Sequence, residues 1–185
     1  MKYNTLNLGQ IEALVNKLGG MEGVQKFLSG ELIVASPTKA SDLGTTLPLI
    51  MDCTRSLKEM IKAGRYNWTN SDIKDKNFPI TEKGVFNTEA VLVHYNKVMK
   101  TEDILRDMES KGLVQGKIEH LLAVGEKYPN LQRDFPIVAL GSSWQDPVGD
   151  RVVPYLRGYG GRRYLYLNWI GVDWDESYRF LALRK

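Results

Sequence analysis

Ser71-Asp-Ile-Lys74 has the Ser-x-x-Lys spacing in which a lysine amine takes the proton of a nucleophilic serine. The partner motifs of such acyl-enzymes are absent, so the segment reads as a capped turn. His94 and His120 are the only histidines, a poor supply for a Ser-His-Asp relay or a metal cage. The pattern puts His94 on a strand and His120 on an exposed helix face. Cys53 is the only cysteine, which excludes an internal disulfide and a zinc site of several cysteines; in an apolar stretch it reads as a small buried hydrophobe. Asp146, Asp150, Asp173 and Asp175 have oxygen ligands suited to calcium, but their loops read as solvated. Gly158-Tyr-Gly-Gly161 lacks the following helix that a phosphate cradle needs. Arg162-Arg163 beside tyrosines suits a phosphate or a nucleic-acid strand, and the aspartates of the same segment oppose it. The expectation is a chain with no catalytic centre, no cofactor and no metal site.

The chemistry that remains is recognition. Side chains alternate between the faces of a strand. In Tyr164-Leu-Tyr-Leu-Asn168-Trp169 the leucines share one face, and Tyr164, Tyr166 and Asn168 share the other. If Leu165 and Leu167 pack inward, two tyrosines and an asparagine point outward together. Residues 136–185 hold nine of the eighteen aromatic side chains. Tyr and Trp give contact area for few lost rotamers, while Ser, Gly and Asn give adaptable hydrogen bonding. That mixture recurs in Ser142-Ser-Trp144, in Gly158-Tyr-Gly-Gly161 and in Asp173-Trp-Asp-Glu-Ser-Tyr178. The predicted contact set is Trp144, Asp146, Arg157, Tyr159, Tyr164, Tyr166, Asn168, Trp169, Asp173, Asp175, Ser177 and Tyr178. Trp and Tyr would anchor, Asp and Arg set the charge, and Ser and Asn adapt. The competing reading is that some aromatics fill a small core under long loops, Trp174 and Phe180 foremost.

The elements that position these residues follow from periodicity. Leu8, Ile11, Leu14, Val15 and Leu18, then Val24, Phe27 and Leu28, predict two short helices before Gly30. Glu31-Leu-Ile-Val34 predicts a short strand, expected to pair with the closing strand around Phe180–Leu183. Residues 36–56 read as a Ser, Thr, Pro and Gly rich stretch with an apolar patch, Leu47-Pro-Leu-Ile-Met51. Leu57, Met60 and Ile61 predict a short helix ended by Gly64. Residues 65–84 are turn-like, with Asn70-Ser71 placed to cap another short helix. Val85 to Tyr95 reads as one or two strands. Thr101 is placed to cap a helix that carries Ile104, Leu105 and Met108, and a second helix covers about 115–126. Ile137–Leu140, Arg151–Leu156, Arg163–Asn168 and Tyr178–Leu183 predict four strands joined by Gly, Asp and Ser loops.

The chain has 185 residues, suited to one domain able to bury a core without staples. A net charge of +3 does not point to a polyanion. No run approaches the roughly 20 apolar residues of a membrane span. The N-terminal residues lack the apolar core of a signal peptide, which leads to the expectation of a cytoplasmic protein.

Ala139-Leu-Gly-Ser-Ser-Trp144, the Tyr164–Asn168 strand, the Asp173-Trp174 loop and the closing Tyr178-Arg-Phe-Leu-Ala-Leu-Arg184 together resemble the end of the C-type lectin-like fold. The branch they resemble is shared by formylglycine-generating enzymes and the variable proteins of diversity-generating retroelements. Ile118-Glu-His-Leu-Leu122 is similar to the helix that precedes this region there. The resemblance covers roughly residues 115–185 by texture, and 31–114 only by the order of elements. The enzymes of that branch use a cysteine pair, which a chain with Cys53 alone cannot supply. The calcium motifs of the animal lectins are also absent. The variable proteins fit better. In that family a reverse transcriptase mutates adenines at the 3′ end of the gene, turning Asn codons into Tyr, Asp, Ser, Gly and Arg. The resemblance implies a rigid scaffold with a hypervariable binding face.

The expected organisation is α+β: a helical appendage over residues 1–30, then a C-type lectin-like domain over 31–185 with short antiparallel strands and two helices. Its variable region lies at about 140–180. The expected function is non-catalytic binding of a partner, a protein in the first instance. The alternatives are an enzyme of unknown chemistry on the same fold and a binder of nucleic acid or a phage component.

Overall fold

The computed structural model describes residues 7–18, 20–29 and 44–184. The chain forms two compact units, 1–39 and 40–185. In the first, α1 (Leu8–Lys17) and α2 (Gly20–Leu28) are the two short helices that the apolar spacing predicts. Glu31–Val34 lies outside the described residues.

The second unit follows the order β1 (Thr45–Asp52), α3 (Leu57–Ala63), β2 (Trp68–Thr69), β3 (Val85–Val93), α4 (Thr101–Ser110), β4 (Leu113–Gln115), α5 (Ile118–Lys127), α6 (Leu131–Asp134), β5 (Ile137–Val138), β6 (Trp144–Gln145), β7 (Arg151–Tyr159), β8 (Arg162–Trp169) and β9 (Arg179–Arg184). The architecture is mixed α+β. The strands form one nine-stranded sheet in the order β1-β3-β9-β5-β7-β8-β2, with β4 beside β9 and β6 beside β7. The closing strand β9 runs antiparallel to β3 on one side, and pairs with β5 and β4 on the other.

Because side chains alternate, the sheet supports two cores. Leu49, Met51, Leu92, Leu156, Leu165 and Leu181 face α3 and α5 in one. Val91, Val93, Val153, Phe180 and Ala182 join Ile104 and Met108 of α4 in the other. The register between β7 and β8 fixes which residues share a face: Val153 lies opposite Asn168, Tyr155 opposite Tyr166 and Arg157 opposite Tyr164. The hairpin closes at Gly160 and Gly161, with φ of +56° and +76°. Two consecutive left-handed residues make the tight turn whose twist matches the strands, and glycine adopts them without steric cost.

Several expectations change. Leu47–Met51 is not a patch in a loop but part of the eight-residue strand β1. Asn70-Ser71 caps no helix; Asn70 Oδ1 accepts the Asp72 amide in a local turn, which satisfies the backbone without helical pairing. Thr101 is the first helical residue of α4, and the cap position is Lys100. The Thr101 side chain turns instead into the fold, donating to the Ile170 carbonyl and accepting from Trp174 Nε1 at 2.8 Å.

Candidate functional site

The outward face of β7 and β8 changes character along its length. Val153 is 0% exposed, Tyr155 8% and Tyr159 73%, so the second core gives way step by step to a solvent-facing surface. Tyr155, Arg157, Tyr159, Tyr164 and Tyr166 line a recess of about 300 Å³ there. That volume is at the small end for a ligand pocket. The rings are ordered against each other. Tyr164 and Tyr166 stack with centroids 5.3 Å apart and planes inclined by 16°. Tyr155 stacks on Tyr166 at 5.9 Å. Trp68 of β2 leans on Tyr166 at 4.7 Å, and the Arg157 guanidinium lies 6.0 Å from the Tyr159 ring centre. No hydrogen bond within the described residues engages the four tyrosine hydroxyls or the Arg157 guanidinium. The recess therefore presents free polar groups above a packed aromatic floor.

A buried polar network holds the hairpin from beneath. Arg163 points to the opposite face, among the first core, and is buried. Its Nε–H donates to Gln132 Oε1 at 3.1 Å, and its two terminal nitrogens donate to the carbonyls of Gly64 and Gly125. Those carbonyls lie at the C-terminal ends of α3 and α5, where a cation is favoured by the helix dipole. Burial lowers the pKa of this guanidinium from its ordinary value. Gln132 Nε2 donates in turn to the carbonyls of Arg157 and Tyr164, fixing the backbone of two recess residues. Gly158 is required at the same contact: a Cβ there would lie 2.5 Å from Arg133 Cα. The suggestion that Arg162-Arg163 meets phosphate is thus corrected, because Arg163 is spent inside the fold.

The twelve predicted contact residues do not form one surface. Arg157, Tyr159, Tyr164 and Tyr166 share the recess, and Asn168 lies further along the same face. Tyr178 adjoins it, 6.4 Å from Tyr155, and packs edge-on to the buried Trp174 at 5.1 Å. Burial raises the Tyr178 hydroxyl pKa; Tyr155 and Asp175 add to this, and Arg157 opposes it. Asp175 Oδ1 accepts from the Ser177 amide and hydroxyl, so this pair shapes the turn before Tyr178. Asp173 lies apart, beside Lys100, Glu102 and Val172. Trp144, Asp146 and Trp169 belong to the opposite face of the hairpin, in a different groove. Alternation is the reason: Trp169 is an odd step from Asn168 and falls on the Leu165–Leu167 side.

The other residues that first suggested chemistry are accounted for locally. His120 is not on an exposed face. It is buried at the start of α5, where Nδ1 accepts the Lys117 amide at 3.2 Å, and burial lowers its pKa. His94 is exposed just past β3, its Nε2 2.9 Å from the Glu176 carbonyl. Cys53 is only half-buried against the first core, and burial with the nearby Glu119, Glu82 and Asp52 raises its thiol pKa. Glu119 is buried; its Oε1 accepts from the amides of Thr81 and Glu82 and from the Thr81 hydroxyl, which pins that loop to α5. Among the described residues no group of three or more His, Cys, Asp or Glu side chains is placed to hold a metal ion, and no helix is long and apolar enough to cross a membrane.

Trp68, which leans on the recess, and Gln132, which holds it from beneath, are the residues that sequence reasoning missed. Trp68 sits in a polar stretch with no periodicity, and Gln132 in a one-turn helix, so neither carried a signal. Comparison with known proteins found no matching family model, no matching curated protein and no matching solved structure.

Proposed function

We propose that the chain is a non-catalytic ligand-binding protein whose domain is of the C-type lectin-like type, and that it takes a partner protein on the tyrosine recess of β7 and β8. The observation that carries this reading is the recess itself: Tyr155, Tyr164 and Tyr166 stacked from a buried base outward, with the exposed Tyr159 beside Arg157, and no hydrogen bond among the described residues to any of these hydroxyls or to the guanidinium. Tyr and Arg are the residues that anchor protein interfaces, since each offers large apolar contact with a polar tip. Its support is rigid, because Gln132 and Arg163 hold the strands from below, so little ordering is needed on binding. We further propose that this face is the diversified surface of a retroelement variable protein, with Arg157, Tyr159, Tyr164 and Tyr166 among the varied positions.

Sequencing the 3′ end of the gene and its flanks across a natural population tests the reading. It expects substitutions concentrated at the codons of those four residues, constant codons for Leu165 and Arg163, and an imperfect repeat of the region beside a reverse-transcriptase gene. A 3′ end as constant as the rest of the gene, with no such repeat, would overturn the diversification. A second reading, single-stranded nucleic acid, draws on the stack of Tyr164 and Tyr166 beside Arg157, which has no salt bridge among the described residues. A steep loss of binding with added salt would favour it.

A further inference from the structure

The geometry points to a second binding site, on the opposite face of the β7–β8 hairpin, that takes a lysine or arginine side chain presented by a partner peptide. It stands independently of the tyrosine recess. Val152 pairs with Trp169 of β8 on one side and with Trp144 of β6 on the other. Between the two indoles runs a groove of about 370 Å³, which Asp72 and Asp146 also line.

The groove is preformed and open to solvent. Trp169 is 57% exposed, and Val148 at its edge 84%. Exposure of an apolar side chain on a loop is unremarkable when the loop is loose. Here it is pinned: Asp146 Oδ1 accepts from the amides of Val148 and Asp150 at 3.0 and 2.9 Å, and Gln145 Nε2 donates to the Gly149 carbonyl at 3.0 Å. Val152 and Leu167, buried and half-buried, supply an apolar base.

Charge selects the occupant. The lining contains two carboxylates and no cation. Lys74 reaches one of them, Asp72 Oδ1, at 3.4 Å from outside, and both side chains there remain exposed. The second oxygen of each carboxylate has no hydrogen-bonding partner among the described residues. A neutral apolar group would desolvate these carboxylates without compensation, and an anion would be repelled. A cation is attracted both by the carboxylates and by the indole faces. A lysine or arginine adds an alkyl stem that lies along apolar surface while its head stays polar. Asn70 argues for a peptide over a free amine. Its Oδ1 is used by the Asp72 amide, while its Nδ2 donors have no partner among the described residues and can bond a main-chain carbonyl.

The test is a nitrogen-15 NMR titration that follows the indole N–H signals. The probes are the peptide acetyl-Leu-Lys-Leu-amide and the same peptide with an acetylated lysine side chain. The lysine peptide should shift the Trp144 and Trp169 signals saturably, and the acetylated peptide should bind about tenfold more weakly or less, as loss of a cation–π and carboxylate contact implies. Asp72→Asn with Asp146→Asn should remove the preference while keeping the turn, since Asn retains the accepting oxygen. Asp72→Asn alone should weaken it if the double variant does not fold. Tyr164→Ser should bind the lysine peptide as the parent does. No saturable shift at millimolar peptide, equal binding of the two peptides, or a preference that survives Asp72→Asn would each overturn the site.

Discussion

Arg163 Nε donates to Gln132 Oε1 at 3.1 Å, inside the fold and directly beneath the face that carries Arg157 and Tyr164. One strand thus carries both the recess and its support: Tyr164 and Tyr166 outward, Arg163 and Leu165 inward. Removing the guanidinium leaves the Gly64 and Gly125 carbonyls and the Gln132 amide oxygen buried without donors. Each orphaned buried group costs about 1–3 kcal/mol. Arg163→Ala should therefore lower stability by at least about 3 kcal/mol in urea unfolding. Arg163→Lys should recover only part of this, because one ammonium cannot reach acceptors that the planar fork spans. Full recovery by lysine would show that charge alone matters there.

The two faces of β8 predict opposite responses to truncation. Leu165 is fully buried in the first core, so Leu165→Ala should cost about 2–5 kcal/mol. Tyr164→Ser removes a half-exposed ring and should cost much less, within roughly 1 kcal/mol. Parallel thermal melts of the two variants decide this. Equal losses would mean that the outward tyrosine is a structural residue.

Stability should fall as pH drops through the histidine range. The folded pKa of His120 lies below its ordinary value of 6.5, chiefly from burial; Glu119 and Glu82 pull it up and Lys117 pushes it down. Below 6.5 the unfolded chain therefore binds a proton that the folded chain resists, so stability is fully present above pH 6.5 and is lost as the pH falls toward the folded value. Unfolding free energies measured from pH 7.5 to 5 should decline, and His120→Gln should flatten the decline. An unchanged slope in the variant would assign the effect elsewhere.

Trp174 ties the loop before β9 to the start of α4. Its indole N–H donates to Thr101 Oγ1, and its backbone exchanges two hydrogen bonds with Met99 at 2.9 Å. Trp174→Ala should cost about 3–5 kcal/mol. Thr101→Val, which keeps the shape and removes the hydroxyl, should cost about 1–3 kcal/mol by stranding the indole N–H and the Ile170 carbonyl. Chemical denaturation of both variants gives the comparison.

Much of the C-terminal sheet was legible because its strands alternate cleanly. Leu165 in and Tyr164 out follow from the pattern alone; the burial of Trp174 and Phe180 in the second core matches the competing reading, in which those aromatics fill a core under long loops. β1 was not legible. Pro48 sits inside it and argues against a strand, yet β1 lies at the edge of the sheet, where a missing amide is tolerated. His120 was misplaced because Ile118, Leu121 and Leu122 suggest a helix with one wet face. In the fold α5 is buried from Ile118 to Gly125, between α3 and the sheet. The split of Trp169 from the tyrosines is present in the alternation of β8, whereas that of Trp144 and Asp146 depends on the pairing of β6 with β7, which no local pattern shows.

A tyrosine face that is displayed on the fold does not hold it together. Replacing Arg157, Tyr159, Tyr164 and Tyr166 together by serine, and following thermal unfolding beside the parent and a Leu165→Ser control, tests this most directly. Tyr178 and Asp175 stay unchanged, because one packs on Trp174 and the other shapes its turn. The four-site variant should keep a cooperative transition within several degrees of the parent, and the control should show none, since truncations at exposed and half-exposed positions cost little beside a polar group placed in the core. A four-site variant as unfolded as the control would contradict it, and would make these aromatics part of the core.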